Sequence, residues 1–259
     1  MPLAYSTLGI PGRPLAEALG LAADNGWQGL ELRCAEGEPV HPGLTAGERR
    51  SAARAFAAAG ITPLTVASYV GVAQSGENRV VTEALRTHLR LAADLGAPYV
   101  RVFPRGDGPV GESDLRAARR LAAVADEAAA LGVRILVETH DSHRGGGELA
   151  CLLERTASPV AGGLWDLLHT HLAGESPADS YAALSPHLGY VQVKDVAGPQ
   201  NTTPLPLGRG ILPIAECLRL LPADCWVSWE YEAPWYPAAA PLPDLLASGA
   251  AHLAGLPRA

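Results

Sequence analysis

The chain has 259 residues, 48% of them hydrophobic, and a formal net charge of −7. That length suits a single α/β barrel domain of about 250 residues. The acidic balance argues against a nucleic-acid partner, which asks for a basic face. No apolar run reaches the roughly 18 residues a membrane span needs, and MPLAYSTLGIPGRP lacks the basic-then-apolar pattern of a signal peptide. A cytoplasmic protein is expected. Cys34, Cys151, Cys217 and Cys225 form no CxxC pair and read as small buried apolar residues of a reducing compartment.

In chain order, strands are predicted at Leu3–Thr7, Gly29–Arg33, Thr62–Ala67, Tyr99–Phe103, Arg134–Glu138, Gly163–Asp166, Tyr190–Lys194 and Trp226–Glu230. Helices are predicted between and after them, at Pro14–Asn25, Ala46–Ala59, Asn78–Leu95, Ser113–Leu131, Gly147–Ala157, Pro177–Ser185, Pro213–Leu221 and Leu242–Ala254. Four junctions repeat an Ala-rich helix, a glycine and a strand. Their glycines, Gly26, Gly60, Gly96 and Gly132, fall 34, 36 and 36 residues apart, the period of one βα unit. Thr45-x-x-Glu48 reads as a capping box, and Ser176-Pro177 as an N-cap followed by proline at the first helical position. Eight alternating units predict a (β/α)8 TIM barrel, one domain over residues 1–259. The Gly- and Pro-rich stretch 196–210, VAGPQNTTPLPLGRG, reads as an irregular loop. Its Leu207-Gly208-Arg209-Gly210 is placed to bring backbone close to a ligand.

Period-two alternation then decides which side chains enter the barrel. It groups Leu136, Glu138 and His140 on one face, Leu164 with Asp166, Gln192 with Lys194, and Ser228 with Glu230 and Glu232. Each of the four later strands thus sends an oxygen or nitrogen inward near its C-terminal end, where TIM barrels keep their chemistry. Carboxylates gathered there repel unless a cation or proton neutralises them. Glu138, Asp166, Gln192 and Glu230 form an oxygen-rich donor set that favours Mn2+ or Mg2+, with Co2+ or Zn2+ also compatible. His140 and His143 are read either as orienting Glu138 or contacting substrate, or as structural. Lys194 is read as neutralising a carboxylate or holding a substrate oxygen, and Asp195 as a loop cap. Glu31, Arg33 and Arg101 read as buried salt bridges, and Arg105 and Arg209 as solvated charges that can also meet an anionic group. Trp235 and Tyr236 read as a pocket wall or a contact between copies, which leaves homo-oligomerisation open.

The ordered set ETH at 138–140, DLLH at 166–169, QVKD at 192–195, LGRG at 207–210 and WEYE at 229–232 resembles the xylose isomerase-like superfamily. Within it, the match is to the sugar phosphate isomerase/epimerase group, with its hydroxypyruvate isomerase-like and ketose 3-epimerase-like members. The resemblance spans the chain. It implies that Glu138 and Glu230 bind the metal and exchange protons with a sugar or keto-sugar, that Asp166 is a ligand, and that His169 positions substrate oxygens. Gln192 stands where the family usually has a histidine ligand, and an amide oxygen is a weaker donor than imidazole. The implied reaction is proton transfer through a metal-stabilised enediolate. A lyase or dehydratase opening with the same step, and a metal-free binding barrel, are the alternatives. An endonuclease IV-like activity fits poorly, since the chain has eight histidines, few of them at strand ends, and an acidic charge.

Overall fold

The computed structural model describes residues 1–257. Ten strands occur in chain order: β1 Leu3–Ser6, β2 Gly29–Arg33, β3 Thr62–Gly71, β4 Tyr99–Phe103, β5 Arg134–Glu138, β6 Ala161–Asp166, β7 Leu188–Val193, β8 Val196–Gly198, β9 Asn201–Pro204 and β10 Val227–Trp229. Eight of them, all but β8 and β9, close into a barrel in which every neighbouring pair is parallel and β10 returns to β1. The helices are α1 Leu15–Asp24, α2 Ala46–Ala59, α3 Asn78–Leu95, α4 Val110–Ala122, α5 Ala125–Leu131, α6 Gly146–Thr156, α7 Leu167–Leu172, α8 Pro177–Leu184, α9 Ile214–Leu220 and α10 Leu246–Gly255. The expected single-domain (β/α)8 barrel is the observed fold, and no described helix is long and apolar enough to cross a membrane.

The local signals act as their chemistry dictates. Gly26, Gly60, Gly96 and Gly132 all adopt left-handed φ, between 66° and 78°, after their helices, a conformation that costs other residues a steric clash. Thr45 accepts from the Glu48 backbone N–H while the Glu48 carboxylate accepts from the Thr45 backbone. Ser176 caps α8 ahead of Pro177. Alternation partitions the core as expected. Ala4, Leu64, Leu136, Leu164 and Tyr190 fill the barrel interior, whereas Ile135, Val137, Val191, Val193, Val227 and Trp229 pack outward against helices. Each such fully buried aliphatic side chain contributes about 1.5–3 kcal/mol. Gly162 and Gly189 leave room for Leu136, since a Cβ on Gly189 would stand 2.3 Å from it.

Several expectations are corrected. The helix read as Ser113–Leu131 is two, because the chain leaves helical geometry at Val124, next to the Ala123 carbonyl that accepts from Arg86 Nη2. A short helix, α7, follows β6 immediately. The last helix begins as a separate 3-10 turn, Leu242–Asp244. The 196–210 stretch is not wholly irregular, since β8 and β9 pair antiparallel within it. Cys151 is exposed, unlike the other three cysteines.

Candidate active site

The site is assembled at the C-terminal mouth of the barrel, one layer above Leu136 and Leu164. One carboxylate oxygen from each of Glu138, Asp166 and Glu230 lies within 4.8 Å of the others. Glu138 ends β5, Asp166 ends β6, and Glu230 follows β10 with its backbone N–H donated to Val193 of β7. Asp166 does two jobs. Its Oδ1 accepts from the Leu168 and His169 backbone N–H groups and caps α7, leaving Oδ2 for the site. Thr139 fixes the level of this aspartate, as its Oγ1 accepts from Asp166 N at 2.8 Å.

Gln192, on β7, is fully buried. Its Nε2 donates to both oxygens of Glu31 at 2.9 Å, and lies 3.3 Å from Glu230 Oε1. Tyr190 Oη donates to the same Glu31 at 2.7 Å. The predicted salt bridge at Glu31 is therefore replaced by a carboxyl group held by neutral donors, and the amide is turned so that its other end, Oε1, stays free. Arg101 is ion-paired with Glu138, its Nε 3.2 Å from Oε2. Arg33 pairs instead with Glu38 at 2.6 Å, away from the cluster.

Lys194 completes the layer. Its Nζ lies 2.8 Å from Asp166 Oδ2 and 2.8 Å from Glu232 Oε1, and it also contacts Glu230 Oε2. Burial alone would neutralise this lysine, but the Asp166, Glu230 and Glu232 carboxylates outweigh it and hold the ammonium charged. Burial raises the carboxyl groups of Glu31, Glu138 and Asp166 above their usual range. Burial presses Glu230 the same way, but Lys194 and Arg101 overcome it and keep that carboxylate ionised.

Whether this arrangement suits a metal ion is tested by its leftover valences. Gln192 Oε1 is a buried oxygen with neither a hydrogen-bond nor an ion-pair partner, while Glu138 Oε2 and Asp166 Oδ2 are met by the Arg101 and Lys194 cations; a buried oxygen without a partner is costly. Four buried carboxyl groups, Glu31, Glu138, Asp166 and Glu230, face two buried cations, Arg101 and Lys194. A divalent cation matches both the free amide oxygen of Gln192 and the excess of carboxyl groups over cations. A second set, Glu138, His140 and His169, also brings three donor atoms within 4.8 Å. Burial, with repulsion from His169, depresses the His140 imidazole to about 4. Burial and the nearby Lys194 ammonium depress His169 to about 3. Both rings are neutral at pH 7, with centroids 4.2 Å apart.

A cavity of about 220 Å³ opens above the cluster, lined by Glu138, Glu230, Glu232, Arg101, Arg105 and His140 with Leu8, Tyr69, Phe103 and Trp235. Trp235 is thus a wall residue, whereas Tyr236 bonds Thr202 of β9. Arg209 is exposed and lies outside that lining. Leu207, Gly208 and Gly210 do not line that cavity either. Gly208 and Gly210 donate instead to Asp195 Oδ2, at 2.9 and 2.8 Å, making Asp195 the clamp of its loop. His143 turns away from Glu138 and bonds Asp114 Oδ1 of α4 at 2.9 Å. Sequence reasoning missed the joint role of Glu31 and Tyr190 in orienting Gln192. Inward parity at Glu31 was the available signal, but pairing across the barrel is not local. A larger apolar groove of about 700 Å³ behind Tyr69, lined by Cys34, His41 and Val70, lacks the carboxylate cluster.

The model of one protein family, the xylose isomerase-like TIM barrel, matches residues 19–256. No curated protein matches the chain by sequence. Among solved structures, it is similar to the probable 3-DHS dehydratase AsbF, involved in petrobactin synthesis in Bacillus anthracis, with TM-score 0.83, 17% identity and coverage of 98% of this chain and 99% of that one. It is similar to the IolI protein with a bound zinc atom, with TM-score 0.82, 16% identity and 99% coverage of both. It is also similar to the D-psicose 3-epimerase of Clostridium cellulolyticum H10 solved with D-tagatose, with TM-score 0.83, 13% identity and complete coverage of both.

Proposed function

This chain belongs to the xylose isomerase-like TIM-barrel family, and from that membership we propose that it is a divalent-ion-dependent isomerase or epimerase of a small sugar or keto-sugar. The observation that carries the reading is the convergence of Glu138, Asp166 and Glu230 beside the unpartnered buried Oε1 of Gln192. Glu138, Asp166, Gln192 and Glu230 are the residues that would hold the ion, with Mn2+ or Mg2+ suited to so oxygen-rich a set and Zn2+ or Co2+ also accommodated. Bound there, the ion would supply positive charge to a substrate carbonyl and its neighbouring hydroxyl.

The remaining work falls to the chain's own groups. Glu138 and Glu230 reach the cavity from β5 and from the end of β10, with β6 and β7 between them around the ring. From those positions, one carboxyl group takes a proton from the carbon beside the carbonyl and the other returns one. His140 borders the same cavity, and His169 packs against it. As neutral imidazoles, both can donate to or accept from sugar hydroxyls. Phe103, Tyr69 and Trp235 wall the space with rings. The cavity volume of about 220 Å³ suits a small molecule rather than a polymer.

A second reading, loss of water from the same substrate class, is favoured by one feature: the charged ammonium of Lys194 beside Glu230 can protonate a departing hydroxyl. Both readings begin with proton abstraction next to a carbonyl. The test is incubation of the metal-supplemented protein with a panel of ketoses and keto acids in heavy water. Deuterium at the carbon beside the carbonyl in recovered substrate or epimer is the expected result, and an unsaturated product would identify dehydration. Absence of exchange and of product with every sugar and metal tried would overturn both.

A further inference from the structure

We propose that Lys194 is a tethered cation that holds Asp166 and Glu230 while no metal is bound and yields them by moving onto Glu232, so that the Lys194–Glu232 pair sets the divalent-cation affinity of the site. This rests on the metal-site reading given above. It begins from an oddity of the geometry: the one ammonium in the cluster touches two of the three carboxylates that a cation would take.

Three features support the exchange. Lys194 follows β7 by one residue and keeps the inward parity of Gln192, and its side chain is only 3% exposed. A metal-free nest of buried carboxylates repels itself, and a built-in positive charge removes that repulsion without a ligand. Glu232 differs from the other two partners. It lies higher, with its side chain 23% exposed, it lines the cavity, and it is not part of the three-carboxylate set. Lysine is also the cation suited to such a move, since its charge is compact and its stem flexible, whereas a guanidinium is a planar fork. When an ion takes Asp166 and Glu230, the ammonium keeps one carboxylate partner at the mouth and is not left buried and unpaired.

Glu232 is therefore a positioning residue: it acts on the ion through Lys194. The test uses the full chain stripped of metal with a chelator, as wild type, Lys194→Met, Glu232→Gln and the double variant. Each is titrated calorimetrically with Mn2+ and melted without metal. Lys194→Met is expected to bind Mn2+ about tenfold tighter or more and to melt lower than wild type without metal, while Glu232→Gln binds about tenfold weaker. The double variant is expected to match Lys194→Met, because Glu232 has no lysine left to receive. A folded Lys194→Met with unchanged or weaker affinity overturns the proposal, and so does a Glu232→Gln deficit that persists in the double variant. If Lys194→Met is not recovered folded, Lys194→Gln takes its place with the same expected gain. Tight Mn2+ binding by wild type with no gain in the lysine variants refutes the role of Lys194 alone. No binding by any of the four proteins removes the metal-site reading as well.

Discussion

The amide of Gln192 stands beside the carboxylate cluster, and its hydrogen bonds decide which end can face a cation. Glu31 accepts from Nε2, so Oε1 is the end left for a cation. Replacing Glu31 with Gln supplies a donor as well as an acceptor, and the amide of Gln192 is then free to turn over. Glu31→Gln is expected to weaken Mn2+ binding about 10–100-fold with little change in fold, as for other groups that orient a ligand. Calorimetric titration checks this, and unchanged affinity would show that Glu31 does not set the orientation. Glu138→Gln and Glu230→Gln keep side-chain size and remove the proton-carrying group. Each is expected to slow solvent-deuterium exchange into substrate by about 10²–10⁴-fold, measured by mass spectrometry. Glu138, Asp166 and Glu230 are legible in the sequence because side-chain parity is a local property of a strand. Lys194 and Arg101 were readable as charge partners by the same parity, reaching the cluster from the neighbouring strands β7 and β4, whereas the pairing of Glu31 with Gln192, with β1 and β10 between them around the ring, was not.

At the scale of elements, the loop after β7 depends on a single carboxylate. Asp195 Oδ1 accepts from Val196 and Leu212, and Oδ2 from Gly208 and Gly210, while the left-handed φ of +80° at Gly208 lets the chain fold back. Asp195→Ala strands buried donors and is expected to cost about 2–3 kcal/mol, read as a lower urea midpoint with unchanged slope. Helix α3 contributes a pH dependence. His88 is buried, with Nδ1 2.7 Å from the Ala84 carbonyl, and burial lowers its pKa against the opposing pull of that carbonyl. The unfolded chain therefore takes up the proton first. No stability is lost to this residue above about pH 6.5, and a loss grows as pH falls below that value. A His88→Leu variant is expected to show a flatter fall in melting temperature between pH 7 and pH 5 than wild type, and equal slopes would contradict it. The helix stops and caps were readable because each is a local event at one glycine or one side chain. The β8–β9 hairpin was hidden by the Gly and Pro around it, and the break before α5 by an Ala-rich run that carries no glycine or proline at Val124.

For the whole molecule, the closed ring of parallel strands turns a one-dimensional pattern into a charged centre. Eight alternating strand–helix units, four of their junctions marked by a helix, a glycine and a strand, made the barrel predictable, and the direction of the strands placed the acidic ends at one mouth. The balance of charge there was not predictable, because it depends on how far each side chain rises. Two buried cations among four buried carboxyl groups mean that a divalent ion should stabilise the fold as well as serve it. At a hundredfold excess over its dissociation constant, the ion is expected to add about 2.7 kcal/mol, and a chelator should lower the melting temperature reversibly. The most direct measurement is anomalous diffraction from crystals soaked in Mn2+. One peak is expected about 2.0–2.4 Å from oxygens of Glu138, Asp166, Glu230 and Gln192, with the Lys194 ammonium shifted to Glu232. A peak seated on His140 and His169, or no peak with Lys194 still between Asp166 and Glu230, would contradict the account.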